Sequence, residues 1–213
     1  MSFMKIIGAV PFEAIVQAWL KSEWYSDFFN PIRTYVPQSL IDDEDFSNQQ
    51  NNALRYWLLS ASRFNMLEPL PAGITWYSAT YDRADIDRTY VVASNNWGPI
   101  TGNSYRTDVA MRNLTMIGDP AAKIRDVRAS LSSIDRRLIL VASDINSVLT
   151  IIEGNHRAVA MFADALDRNA QDPIIAEVFV GVSSNMLQYM WHMEQPLIRA
   201  GLLRPMPLAE KEH

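Results

Sequence analysis

The chain contains no cysteine, only three histidines and no long hydrophobic run. The lack of cysteine excludes disulfide cross-links and fits a reducing compartment, so we expect a cytoplasmic protein. No apolar stretch approaches the roughly 18 residues that a membrane-spanning helix needs, so we expect no membrane insertion. Pro11 and Glu13 interrupt the short apolar run near the amino terminus, and we predict no signal peptide there. With so few histidines, we also predict no zinc site.

Several well-known chemical signatures are missing as well. The sequence has no Gly-x-x-x-x-Gly-Lys-Ser/Thr loop, no Gly-x-Gly-x-x-Gly and no His-Glu-x-x-His. It also lacks the sequence of a nucleophile elbow. The formal net charge of −5 disfavours a broad nucleic-acid surface, although it leaves room for a local basic patch.

The amino-terminal third of the chain carries apolar and aromatic residues at helical spacing. This spacing predicts amphipathic helices over residues 11–29 and 52–64. Residues 69–73 contain two prolines and a glycine, and we place a soft domain boundary there. We therefore predict a helical amino-terminal extension, residues 1–70, packed on a mixed domain, residues 71–213.

Apolar runs rich in β-branched and aromatic residues predict strands in the rest of the chain. These strands cover residues 74–80, 89–93, 138–142, 148–152 and 174–182. A helix is predicted to begin at Asp119 as its cap, and another over residues 185–198, while residues 94–106 are predicted to be an irregular loop. The pattern indicates an α+β protein with a small mixed sheet and helices at both ends. The methionine-rich last helix suits core packing or, as the alternative, a homodimer contact.

The most informative stretch lies between the predicted strand 148–152 and the helix that follows it. Its sequence is Glu153-Gly154-Asn155-His156-Arg157. A helix start leaves backbone N–H groups unpaired and carries partial positive charge, so phosphate groups bind there. A glycine lets the backbone approach a ligand closely, and an arginine fork suits phosphate oxygens. The alternative is a plain capped turn, with Asn155 as the helix cap and the next two side chains in solvent.

Residues 151–160, Ile-Ile-Glu-Gly-Asn-His-Arg-Ala-Val-Ala, resemble a motif of the ParB/sulfiredoxin superfamily. That motif reads hydrophobic, hydrophobic, acid, Gly, x, His/Thr, Arg, x, x, Ala. In the superfamily it opens a helix and cradles the phosphates of a nucleotide. The resemblance covers residues 137–182 and implies a ParB/sulfiredoxin-like core over residues 74–182.

Members of the superfamily differ within the motif. Sulfiredoxins have Gly-Cys-His-Arg, and Asn155 stands where their catalytic cysteine would be, so sulfinic acid reduction by that mechanism is excluded. Partitioning proteins have Gly-Glu-Arg-Arg, of which Gly154 and Arg157 match, but no helix-turn-helix follows. Free-serine kinases have Asp-Gly-His-Thr-Arg, to which Glu153, Gly154 and Arg157 correspond. The upstream catalytic glutamate of these kinases has no recognisable equivalent here.

The resemblance implies binding of a nucleoside triphosphate with Mg²⁺, and the activity of a small-molecule kinase or NTP hydrolase. The backbone at Gly154 and Asn155 would hold phosphate, and His156 and Arg157 would neutralise it. Glu153 would bind Mg²⁺ or act as a base, with His156 as the second candidate catalytic residue. The partners are then a nucleotide and an unidentified small-molecule acceptor. The alternative is a non-catalytic regulator that binds a protein or nucleic acid and keeps the motif as a structural turn.

Overall fold

The computed structural model describes residues 4–132, 135–168 and 175–194. It shows a mixed α+β fold built on one six-stranded mixed sheet, in the strand order β1-β2-β6-β4-β5-β3. The strands are β1 (Lys5–Ala9), β2 (Thr75–Tyr81), β3 (Thr89–Val91), β4 (Ile139–Ala142), β5 (Leu149–Glu153) and β6 (Ile175–Val182). The predicted fold class is confirmed at this level, and each strand predicted from the sequence is present.

The α-helices are α1 (Phe12–Glu23), α2 (Gln38–Asp42), α3 (Gln49–Leu67), α4 (Gly98–Thr101), α5 (Thr107–Arg112), α6 (Ala121–Ala129) and α7 (Asn155–Asp167). Short 3₁₀ segments occur at Asp27–Phe29, Arg83–Arg88 and Ser184–Gln188. Among the described residues, no helix combines the length and the apolar character that crossing a membrane requires.

Alternating side chains divide the interior into two cores, one on each face of the sheet. On β4, Ile139 and Val141 face the first core, whereas Leu140 and Ala142 face the second. The first core contains buried residues of α1 and α3, including Trp19. The second core contains buried residues of α6 and α7, together with most of the remaining strand residues. The sheet is therefore covered by the amino-terminal helices on one side and by α6 and α7 on the other.

Strand β1 was not predicted from the sequence. It lies at the edge of the sheet, where it pairs antiparallel with β2, and a register shift between Ile6 and Gly8 interrupts the pairing. Most of its residues are exposed, so it lacks the alternation of apolar and polar residues that marks a half-buried strand. Its pairing with β2 links residues 1–70 directly to the sheet.

Two local predictions in the segment before β4 were wrong. Helix α4 interrupts the predicted irregular loop over residues 94–106. Asp119 does not cap α6, which begins after Pro120, and its carboxylate lies 3.3 Å from the Lys123 amine instead.

The predicted carboxy-terminal helix is also wrong in its described part. Ser183 accepts a hydrogen bond from the Asn185 N–H, as a cap does, but residues 189–193 are not helical. The reason is tertiary: the Tyr189 hydroxyl donates to the Met66 carbonyl at 2.7 Å, and the Trp191 indole donates to the Asn65 carbonyl at 2.9 Å. These bonds hold the chain against the end of α3. Residues 195–198 of the predicted helix lie outside the described residues.

Candidate functional site

A cleft of about 890 Å³ opens where β5 passes into α7, facing the carboxy-terminal ends of α1 and α3. All five residues of the predicted motif line it, so the fold brings the predicted site residues together. The amino-terminal helices contribute further polar residues to the same cleft, namely Lys21, Ser22, Glu23, Ser62 and Arg63. Its aromatic lining consists of Tyr25, Trp97 and Trp191.

Gly154 forms the turn from β5 into α7. Its φ angle is +89°, in the left-handed region where other residues are strained. An added Cβ atom would lie 2.7 Å from Leu138 Cδ2 and 2.9 Å from Arg157 Nη2. The position therefore requires glycine both for its backbone conformation and for the close approach of its neighbours.

Gly154 occupies the cap position of α7 but has no side chain with which to cap it. Asn155 is the first helical residue, so its predicted role as the cap is wrong. Its side-chain oxygen instead accepts a hydrogen bond from the Val92 N–H at 3.2 Å, which ties the helix start to the end of β3. Within the described residues, no side chain accepts from the backbone N–H groups in the first turn of α7. Binding of an anion by these groups, which the sequence predicts, stays a prediction.

Arg157 and Glu153 form an ion pair across the first turn of α7. The Arg157 Nη2 atom lies 3.2 Å from Glu153 Oε1, and both side chains are only 15% exposed. The Arg157 Nη1 atom also donates to the Asp135 carbonyl at 3.3 Å. Both predicted charges are thus at the cleft, but each already has a partner there.

Burial raises the pKa of Glu153 from 4.5 to about 6, and repulsion from Glu23 adds to the effect. The positive charge of Arg157 and a hydrogen bond from Ser22 act in the opposite direction. The Ser22 hydroxyl donates this bond to Glu153 Oε1 at 2.7 Å. Glu23 itself forms an ion pair with Arg63 from α3. The cleft therefore contains a glutamate whose pKa lies closer to neutral pH than the usual value for a glutamate.

His156 lies against Trp97, with 5.0 Å between the ring centroids. Burial, reinforced by the nearby Lys123 charge, lowers the pKa of His156 from 6.5 to about 4. Its ring is therefore uncharged at neutral pH, which works against its predicted role in neutralising phosphate. The positive charges that line the cleft come from Arg157, Arg63 and Lys21.

His192 belongs to a separate buried cluster behind the cleft. Its Nδ1 atom lies 3.0 Å from Thr150 Oγ1, and its Nε2 atom lies 3.0 Å from Glu194 Oε2. The Ser143 hydroxyl donates to the same glutamate oxygen at 2.5 Å. Because His192 is completely buried and both of its nitrogens have partners, it is a satisfied core histidine.

Within the described part of the chain, no three histidine, aspartate or glutamate side chains are grouped closely enough to hold a metal ion. An ion that arrives with a nucleotide would be coordinated mainly by phosphate oxygens and water.

Sequence reasoning missed the contribution of α1 and α3 to the cleft. Ser22 and Glu153 are 131 positions apart, and no local motif marks Ser22, Glu23 or Arg63. Only the packing of the two helices on the sheet brings these residues to the motif.

Comparisons with protein-family models, with curated proteins and with solved structures find no match to this chain. The resemblance of residues 151–160 to the ParB/sulfiredoxin superfamily therefore stays a prediction.

Proposed function

We propose that the cleft binds a nucleoside triphosphate, with its phosphates at the amino terminus of α7, and that the protein is a ParB/sulfiredoxin-like phosphotransferase or NTP hydrolase. The observation that carries the proposal is the turn at Gly154, which begins a 13-residue helix whose first N–H groups have no capping side chain and whose first residues line the cleft. The cleft volume of about 890 Å³ falls within the range of about 300–1,000 Å³ that is usual for small-molecule sites.

The charges of the cleft suit this ligand. A phosphate group at the helix start would compete with Glu153 for the Arg157 guanidinium, because the arginine fork binds phosphate oxygens at two points. Arg63 and Lys21 line the same cleft and would balance further negative charge. Released from Arg157, the Glu153 carboxylate would accept a proton from an attacking hydroxyl or water.

The cytoplasm is the compartment we propose, since it supplies nucleoside triphosphates and Mg²⁺ to a chain without cysteine. Mg²⁺ that arrives with the nucleotide would supply positive charge to balance the phosphates.

The test is a thermal-shift titration with ATP, CTP and GTP, each with and without Mg²⁺. A ligand at about 100 times its Kd stabilises the folded state by roughly 2.7 kcal/mol, which gives a readable shift. We expect one nucleotide to raise the Tm of the wild type and to leave that of Arg157→Ala unchanged. Arg112→Ala is the matched control, because Arg112 pairs with Asp108 at the same i,i+4 spacing but lies outside the cleft. If no nucleotide changes the Tm of any of the three proteins, the proposal is contradicted.

The second candidate function is partner binding without catalysis. The Glu153–Arg157 pair and the bond from Val92 to Asn155 are contacts that a purely structural turn would make. In addition, α3 exposes an apolar stripe at helical spacing, formed by Leu54, Trp57, Ala61 and Phe64. None of the exposed residues of α3 is charged, so a second copy of the chain can pack on this stripe without like-charge repulsion, despite the net charge of −5. A homodimer through α3 is therefore the partner we propose.

A further inference from the structure

The Ser22 hydroxyl occupies an unusual position for a serine near the end of a helix. Ser22 is partly buried at the carboxy-terminal end of α1 and lines the cleft. Its hydroxyl donates to a carboxylate on a distant part of the chain, Glu153 on β5, at 2.7 Å. A helical serine more often returns its hydrogen bond to a backbone carbonyl of its own helix, as Ser62 does to Leu59.

Ser22, Glu153 and Arg157 form the arrangement of an activated nucleophile. Nucleophilic hydroxyls in enzymes lie within hydrogen-bond reach of a general base, and a third group orients that base. Here the Ser22 hydroxyl and the Arg157 guanidinium contact the same oxygen of Glu153. The raised pKa of Glu153, about 6, is suited to a base that works near neutral pH. The three residues come from three elements, α1, β5 and α7.

The proposed function places a phosphate chain beside this hydroxyl. Only Gly154 separates Glu153 from the N–H groups at the start of α7, and Arg63 and Lys21 line the same cleft. A γ-phosphate held there would be near the Glu153 carboxylate. Among the described residues of the cleft, this is the only carboxylate that accepts a hydrogen bond from a serine hydroxyl.

We propose that Ser22 is a phosphoacceptor, so that the protein transfers the terminal phosphoryl group of a bound nucleoside triphosphate to its own Ser22; this inference rests on the proposed nucleotide binding. The Ser22 oxygen forms a bond to the γ-phosphorus, and the bond from that phosphorus to the β,γ-bridging oxygen breaks. The electron pair of the broken bond leaves with the nucleoside diphosphate. The hydroxyl proton passes to the Glu153 carboxylate, which later returns it to water.

The experiment incubates the full chain with Mg²⁺ and a nucleoside triphosphate labelled at the γ-phosphate, in parallel for ATP, CTP and GTP. Incorporated label is counted, and the modified residue is located by peptide mass spectrometry. We expect label on Ser22 of the wild type, and a loss of at least tenfold in both Ser22→Ala and Glu153→Gln. Ser26→Ala is the matched control, because the buried Ser26 hydroxyl has no hydrogen-bond partner and does not line the cleft. This control should retain its label.

A thermal-shift titration of the same proteins distinguishes nucleotide binding from phosphorylation of Ser22. Ser22→Ala should keep the nucleotide-dependent rise in Tm, because the helix start and Arg157 are unchanged. Label that persists in Ser22→Ala or Glu153→Gln overturns the assignment of Ser22. A nucleotide shift without any label in the wild type overturns the phosphoacceptor role alone. If the wild type shows no nucleotide-dependent shift and no label, both this inference and the proposed function are overturned.

Discussion

At the scale of single residues, Gly154 is a position at which the site tolerates little substitution. We expect Gly154→Ala to lower the free energy of unfolding by about 1–3 kcal/mol, because alanine is strained at a positive φ and its Cβ would meet Leu138 and Arg157. Urea unfolding measures the change. Gly8→Ala is the control, since a Cβ there has no atom within 4 Å, and we expect it to stay within about 0.5 kcal/mol of the wild type. Equal stability of the two variants would contradict this account of the turn.

The protonation of Glu153 gives a second prediction. Because folding raises the pKa of Glu153 from 4.5 to about 6, the folded state binds this proton more tightly than the unfolded state. The resulting stabilisation is present below pH 4.5 and is lost as the pH rises through about 6. Its size corresponds to about 2 kcal/mol.

Urea unfolding near pH 4.5 and near pH 7 tests this dependence. Between the two conditions, the wild type should lose about 2 kcal/mol of stability that Glu153→Gln does not lose. Subtracting the stability change of Glu153→Gln from that of the wild type removes the contributions of the other titratable groups. The exposed Glu68→Gln is the control and should follow the wild type. Parallel pH profiles for wild type and Glu153→Gln would show that burial does not raise this pKa.

The sequence predicted that the residues of the motif share one site, but not how they interact. The motif residues are adjacent in the chain, so their presence at one helix start follows from the local pattern alone. Asn155 was wrongly predicted as the cap because glycine at 154, in the left-handed conformation, already ends the strand and takes that position. The uncharged state of His156 and the bond from Ser22 to Glu153 depend on packing between distant segments, which no local pattern encodes.

At the scale of elements, predictions succeeded where burial shapes the sequence. Strands β4 and β5 are almost fully buried and consist of apolar and β-branched residues, so composition identifies them. Strand β1 failed this criterion because its stability comes from pairing with β2 rather than from burial. The carboxy-terminal helix was wrong for the converse reason, since hydrogen bonds to the end of α3 outweigh the helical spacing of its apolar residues.

The contact between β5 and the carboxy-terminal segment provides the third prediction. Thr150 Oγ1 accepts a hydrogen bond from the Met193 N–H at 2.8 Å and contacts His192, and all three residues are buried. Thr150→Val keeps the shape but leaves these groups without a partner, so we expect a loss of about 1–3 kcal/mol in urea unfolding. Thr75→Val replaces an exposed threonine of β2 and should change stability little. A Thr150→Val protein as stable as the control would show that this contact contributes nothing.

At the scale of the whole molecule, the sheet unites the two segments that the sequence divides near residue 70. Helices α1 and α3 share a hydrophobic core with strands from the rest of the chain, and one wall of the cleft comes from each segment. The division into an extension and a ParB/sulfiredoxin-like domain stays a prediction. The cleft, however, requires the packing of both segments.

The exposed stripe of α3 gives the fourth prediction. Trp57 and Phe64 are 64% and 60% exposed, which is unusual for side chains of this size on one helix face. We expect a concentration-dependent dimer in sedimentation equilibrium, and a monomer for Trp57→Glu, because the change buries a charge in the shared interface. Tyr35→Glu alters another exposed aromatic residue outside α3 and should leave the dimer intact. A wild type that stays monomeric at every concentration would contradict the proposed contact.

The central claim is that backbone N–H groups at the start of α7 bind the phosphates of a nucleotide. The most direct measurement is a titration of the ¹⁵N-labelled protein with ATP, CTP and GTP in the presence of Mg²⁺, followed by the amide resonances of Asn155, His156 and Arg157. The account predicts that one nucleotide shifts these three amides strongly and saturably, with smaller changes in amides far from the cleft. Saturating nucleotide that leaves the three amides unmoved would contradict it.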